Sequence, residues 1–228
     1  MLVHGAATTS ADWVFAMQHL RERFTVVSMD RRGRGRSSDG PEYAMEREAE
    51  DILAVLEAVG GELLLGHSYG ALCSILTVQR TDRVRKLVLY EPPIAIRPTF
   101  LDGMEERVAA GDHEEVLFAF LKGTGVPEAQ VEWIRASPAW PVLLDAARTL
   151  PRELRAGSRW QNPAGPIDVP TLFLRGGDTT SVAYLDTFEA LQAAFPDSRL
   201  ELLPGQTHIA HVLAAKEFAR AVTTFLTA

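Results

Sequence analysis

Short, nearly continuous apolar runs alternate with longer stretches of helical period along this chain. That alternation restricts it to a parallel α/β architecture. The strand-like runs cover residues 2–3, 24–29, 63–65, 84–90, 170–174 and 200–203. A strand covered by helices on both faces meets no water on either, so it reads as an unbroken hydrophobic run instead of an alternating one. Helical period is predicted over 11–23, 42–59, 69–80, 182–195 and 210–227. In the second of these, Ala49, Ile52, Leu53, Leu56 and Val59 recur at the spacing of one helix face. The chain has 228 residues, enough for one domain with a substantial core.

The alternation breaks once. About 80 residues separate the run ending at Tyr90 from the one starting at Pro170, whereas a βαβ crossover needs about 30. Helical period is predicted there over 100–110, 114–123 and 128–136, followed by a proline-rich stretch around Pro138, Pro141, Pro151, Pro163 and Pro166. The expectation is a single domain, 1–228, with a small helical cap inserted at about 94–165 and folded over the carboxyl edge of the sheet. Phe100, Phe118, Phe120, Trp133, Trp140 and Trp160 are expected to divide between the cap's own core and a substrate pocket.

Composition excludes several classes of partner. Lys and Arg number 23 against 30 Asp and Glu, a net charge of -7, which disfavours binding to nucleic acid. The basic cluster Arg31-Arg32-Gly33-Arg34-Gly35-Arg36 is expected to be a solvated turn bracing the sheet edge. It lacks a dinucleotide-binding fingerprint because position 38 is serine. No apolar run reaches the roughly 20 residues that a membrane helix needs. The single cysteine, Cys73, can form no intramolecular disulfide and reads as a core residue. With no secretory pattern at the first residues, the expectation is a cytoplasmic protein without a membrane partner.

One motif carries chemistry. The run Leu63-Leu64-Leu65 passes directly into Gly66-His67-Ser68-Tyr69-Gly70, and a helical stretch follows. A G-x-S-x-G on a sharp strand-to-helix turn holds a serine hydroxyl above the sheet edge as a nucleophile, with glycines keeping Cβ atoms clear. Such a hydroxyl needs a base, and the base needs an orienting acid. Asp178 follows the run at 170–174, and His208 follows the run at 200–203. All three therefore come after the carboxyl ends of strands, where open parallel sheets bind ligands. His67 reads as a packed elbow residue, and His19 and His113 as surface residues. His208 and His211 could form a metal pair, but a zinc site needs three or four ligands and no third cluster accompanies them, so no metal and no cofactor is expected.

In combination these motifs resemble the α/β-hydrolase superfamily. His4-Gly5 is similar to its oxyanion motif, and residues 29–37 to the loop after its next strand. The resemblance implies a three-layer fold with a mainly parallel sheet. Because His-Gly begins at residue 4, the two strands that usually precede it are expected to be absent. That leaves about six strands, with residues 24–29 as an exposed edge through which a homo-oligomer could pair. It also implies Ser68 as nucleophile, His208 as general base and then acid, and Asp178 as the acid that orients the imidazole. Glu91 is the rival acid, because some members place it after the preceding strand. The backbone N–H groups of Tyr69 and Ala6 would form the oxyanion hole, and His4 would shape that loop. The implied reaction is hydrolysis of a small ester, thioester or lactone through an acyl-enzyme, on a small-molecule acyl substrate. A C–C hydrolase, lyase or acyltransferase using the same triad, and a non-catalytic ligand receptor, are the alternatives.

Overall fold

A computed structural model of the chain describes residues 1–97, 101–185 and 188–228. Six strands form one sheet: β1 (Leu2–Val3), β2 (Ser28–Met29), β3 (Leu63–His67), β4 (Lys86–Tyr90), β5 (Thr171–Gly176) and β6 (Ser198–Leu203). Their spatial order is β2-β1-β3-β4-β5-β6, and every neighbouring pair is parallel. The central strands β3, β4 and β5 feed both faces in alternation. Leu64, Leu87, Leu89 and Phe173 enter one buried cluster, with Ile52 and Leu56 of α2 (Met45–Val59) and Leu72 and Ile75 of α3 (Tyr69–Val78). Leu65, Val88, Tyr90, Leu172 and Leu174 enter the other, with Leu20 of α1 (Val14–Leu20) and Phe218, Val222 and Phe225 of the last helix (Ala215–Thr227). The result is three layers with an apolar interior on both sides of the sheet.

The edge differs from expectation. Of the predicted run 24–29, only Ser28 and Met29 are strand. Its one partner, β1, offers just Leu2 and Val3, so the residues before Ser28 have no ladder to join. Phe24 and Val26 instead pack against the second core cluster. Among the described residues no helix is long and apolar enough to cross a membrane.

Between β4 and β5 lie α4 (Met104–Ala110), α5 (His113–Gly123), α6 (Glu128–Arg135), α7 (Trp140–Ala146) and α8 (Leu150–Gly157). The last two correct the reading of this stretch as merely proline-rich. Pro141 and Pro151 stand in the first turns of α7 and α8, where a missing N–H costs no helical hydrogen bond. These helices bury a cluster of their own, including Leu117, Phe120, Val131, Leu150 and Leu154. Phe118 packs edge-on against Trp140 at 5.8 Å, Trp160 packs against the main core, and Trp133 is half exposed. Phe100 lies outside the described residues.

The arginine cluster is the largest departure from expectation. Arg31 and Arg34 are buried, not solvated. Arg31 donates to Glu48 Oε1 of α2 at 2.9 Å and to Glu153 Oε2 of α8 at 3.0 Å, and its guanidinium lies 5.0 Å from the centre of the Tyr69 ring. Arg34 donates to the other oxygen of Glu153 and to the Ala146 carbonyl. A guanidinium out of water demands carboxylate partners, so these charges can be buried only as a set. Burial alone would raise the Glu153 pKa, but the Arg31 and Arg34 charges outweigh it and hold the carboxyl below its ordinary value. Among the described residues Glu48 has Arg31 alone as a salt-bridge partner, and burial dominates there, so its pKa is raised. The helices between β4 and β5 are thereby joined through α8 to the loop after β2 and, by way of Arg31, to α2.

Candidate active site

Ser68 occupies the single residue between β3 and α3, with φ 53° and ψ −124°. An L-residue held there stores on the order of 1–3 kcal/mol of backbone strain. The turn is fixed by Ser68 N–H donating to the Tyr90 carbonyl at 2.8 Å and Ala71 N–H donating to the Ser68 carbonyl at 2.8 Å. Gly66 and Gly70 make it sterically feasible: a Cβ on Gly70 would lie 2.6 Å from the Val3 carbonyl oxygen and against that of His4. Backbone cannot move aside as a side chain can. Gly70→Ala is therefore expected to lower stability by about 2–3 kcal/mol, read as a drop in the denaturation midpoint at unchanged m-value. Ala7 and Glu91 also have positive φ, and with Ser68 they are the non-glycine residues of this kind among the described residues. All three converge on one site.

The carboxylate beside His208 is that of Glu91, not the expected Asp178. His208 Nδ1 lies 2.6 Å from Glu91 Oε2, one residue past the end of β4. Glu91 Oε1 accepts from the Gly176 N–H at 2.8 Å and the Thr179 hydroxyl at 2.5 Å. Asp178 is exposed, and its backbone N–H donates to the Gln206 carbonyl at 2.9 Å. The physical reason is register. His67 pairs with Tyr90, so the residue after Tyr90 lies beside the one after His67, and Glu91 neighbours Ser68. The end of β5 and the loop after it instead contribute Gly176 and Thr179, which hold Glu91 in place.

Sequence reasoning missed Tyr184 altogether. Its hydroxyl lies 3.1 Å from His208 Nε2, and its ring stacks on the imidazole at 4.4 Å between centroids. Burial, reinforced by the Glu91 charge, pushes this phenol well above the ordinary tyrosine range, so it is a neutral hydroxyl. The one signal in the sequence is an aromatic directly after the stretch of small residues Thr179–Ala183.

Two cavities meet at Ser68. One, of about 280 Å³, is lined by Tyr69, Pro93, Ile96, Leu154 and Tyr184, and the other, of about 530 Å³, by His208, Trp133, Leu143 and Val212. Ala6, Ser68, Phe120 and Thr124 belong to both. Tyr69 is the first residue of α3, so its N–H has no carbonyl a turn earlier within the helix and is free for a ligand at the elbow. Gly5 approaches so closely that a Cβ there would lie 3.1 Å from Ser68 Cβ, which brings the Ala6 loop beside Ser68.

Behind the elbow is a buried polar scaffold. His4 accepts from the Arg31 N–H through Nε2 at 3.0 Å and donates from Nδ1 to the Gly5 carbonyl at 2.8 Å. Burial, then the Arg31 charge, pushes its pKa down to about 3, so it is neutral. His67 donates from Nε2 to the His208 carbonyl at 3.0 Å, and burial followed by the neighbouring His211 and His208 imidazoles keeps it neutral too. His211 bonds Asp12 at 2.8 Å. Asp12, His67 and His211 thus bring three ligand-capable atoms within 4.8 Å of one another, a trio the spacing of His208 and His211 did not reveal. Two ligands of a tetrahedral zinc stand roughly 3.3 Å apart, so the 2.8 Å contact is a hydrogen bond and the trio fits a metal poorly as it stands.

A parallel sheet with a strained serine after β3, a carboxylate after β4 and a histidine after β6 defines a class of hydrolase-like folds. The chain belongs to the alpha/beta hydrolase family, whose model matches residues 1–221. It is 29% identical to 2-(acetamidomethylene)succinate hydrolase of Mesorhizobium japonicum over 100% of this chain and 87% of that protein. A shorter match, 37% identical, joins 42% of the chain to 37% of N-formylmaleamate deformylase of Pseudomonas putida. Among solved structures, an alpha/beta hydrolase from Sphaerobacter thermophilus superposes with a TM-score of 0.84 at 32% identity, over 99% of this chain and 91% of that one.

Proposed function

We propose that this chain is a serine hydrolase that cleaves a small ester, thioester or lactone through an acyl-enzyme. Ser68 Oγ attacks the acyl carbon and His208 receives its proton. Glu91, accepting from Nδ1–H, keeps the imidazole in the tautomer whose Nε2 lone pair is available, and it stabilises the imidazolium that forms. The Tyr69 and Ala6 amides stabilise the oxyanion, each worth about 3–4 kcal/mol in the transition state. The leaving group departs with the proton from His208. Water, deprotonated by the same imidazole, then releases the acid and restores Ser68.

The observation that carries this reading is the Glu91–His208 pair behind a serine held at positive φ. The mostly apolar walls of both cavities favour an uncharged acyl substrate. A second reading, hydrolysis of an acyl–nitrogen bond, is favoured by two relatives whose names carry an acetamido and an N-formyl group. A fluorophosphonate probe tests the common step. Folded wild-type protein should be modified on Ser68, and Ser68→Ala should not be modified at all. Absence of label on folded wild-type protein sinks the hydrolase reading. Short p-nitrophenyl esters, lactones, thioesters and N-acyl amides, compared by kcat/KM, then separate the two substrate classes.

A further inference from the structure

The two cavities that meet at Ser68 differ in size, in their access to the imidazole and in how their rims are built. The larger, of about 530 Å³, is lined by His208 as well as Ser68. The smaller, of about 280 Å³, reaches Ser68 but not His208. Tyr184 lines it instead, with its ring stacked on the imidazole at 4.4 Å. Among the described residues, four of the nine exposed large apolar side chains, Val14, Phe15, Trp133 and Val142, line the larger cavity. The first two belong to α1 and the others to α6 and α7, so separate parts of the chain bring apolar surface to one opening. None of the nine lines the smaller cavity.

Acyl transfer treats the two halves of its substrate differently. When the tetrahedral intermediate collapses, the bond between the acyl carbon and the leaving oxygen breaks. The Nε2 proton of the His208 imidazolium goes to that oxygen, which departs as a neutral alcohol. The leaving group must therefore lie within reach of His208, in the larger cavity. The acyl chain takes no proton from the imidazole and is left with the smaller one. Apolar walls carried out to the rim suit a leaving group with a hydrocarbon chain, because contact removes apolar surface of both from water.

We propose that the substrate is an ester of a short acyl group with a longer apolar alcohol. The acyl group sits beside Tyr69 and Ile96, and the alcohol chain runs out past Phe15 and Trp133. This rests on the serine-hydrolase reading above and adds to it which half of the substrate is long.

Hexyl acetate and ethyl hexanoate are isomers that differ in which side of the ester carries the long chain. Wild-type kcat/KM should favour hexyl acetate on the order of 10-fold, since one methylene in or out of an apolar pocket changes discrimination by about that much. Trp133→Ala, at a half-exposed position, should lower kcat/KM for hexyl acetate roughly fivefold and leave ethyl hexanoate within about twofold. Equal rates, or a preference for ethyl hexanoate, in the wild type overturn the assignment. A Trp133→Ala variant that loses both esters alike, or neither, overturns it too, and the wild-type comparison decides alone if the variant does not fold. Hydrolysis of neither ester by protein whose Ser68 takes the fluorophosphonate label overturns this assignment and leaves the hydrolase reading standing. Absence of label on the wild type is a different result, which removes the hydrolase reading itself.

Discussion

Glu91→Gln should lower kcat by roughly 10³–10⁴-fold, while Asp178→Asn should leave it within about threefold. The amide is nearly isosteric, and its oxygen can still accept from Gly176 N–H and the Thr179 hydroxyl, as Glu91 Oε1 does at 2.8 Å and 2.5 Å. That geometry turns the NH₂ group toward His208 Nδ1. Two donors cannot share the contact, so the imidazole must move its proton to Nε2. A protonated Nε2 takes nothing from a hydroxyl, and the base is lost without any loss of fold. Asp178 is exposed, and its contact with the histidine loop runs through its backbone, so its amide changes little. Steady-state kinetics on any turned-over ester decides the matter: a larger loss in the Asp178 variant would return the acid to the loop after β5.

Glu153→Gln is expected to cost about 3–5 kcal/mol of stability, on the order of a 10 °C fall in melting temperature. The carboxylate stands between Arg31 and Arg34, and all three side chains are without exposed surface. A neutral amide leaves Arg31 with Glu48 as its carboxylate and Arg34 with only the Ala146 carbonyl, far from water. The pH dependence has a definite sign. The Glu153 pKa lies below its unfolded value, so its contribution is fully present above about pH 4.5 and fades as pH falls through the folded pKa. Glu48 has a raised pKa, so its own contribution is largest when protonated and diminishes as pH rises through the folded value. Thermal melts between pH 3 and 7 should therefore show the wild type losing more stability on acidification than Glu153→Gln does. Parallel acid slopes would show that Glu153 is not the group responsible.

The sequence disclosed the strands and the elbow because both are local. A fully apolar run such as Leu63–Leu65 and a glycine on either side of Ser68 state their conformations within a few residues. The choice between Asp178 and Glu91 was not local, since it depends on β3 and β4 pairing His67 with Tyr90. Register between strands leaves no mark in either strand alone. The two late cap helices were obscured because proline in a first turn and proline in a loop look alike without the hydrogen bonds around them. The arginines show a further limit. Charge patterning reads a run such as 31–36 as solvated, and the carboxylate that buries half of it comes from Glu153, more than 100 residues later. Tyr184 reaches the site from a segment with no motif at all.

The buried ion cluster also has a mechanical consequence. Arg31 donates to the Gly5 carbonyl at 2.9 Å and to Glu153 at 3.0 Å from one and the same nitrogen, so α8 and the backbone before Ala6 share a single rivet. Displacing α8 therefore has to disturb the backbone before Ala6 as well, so the position of α8 and that of the loop beside Ser68 are set together.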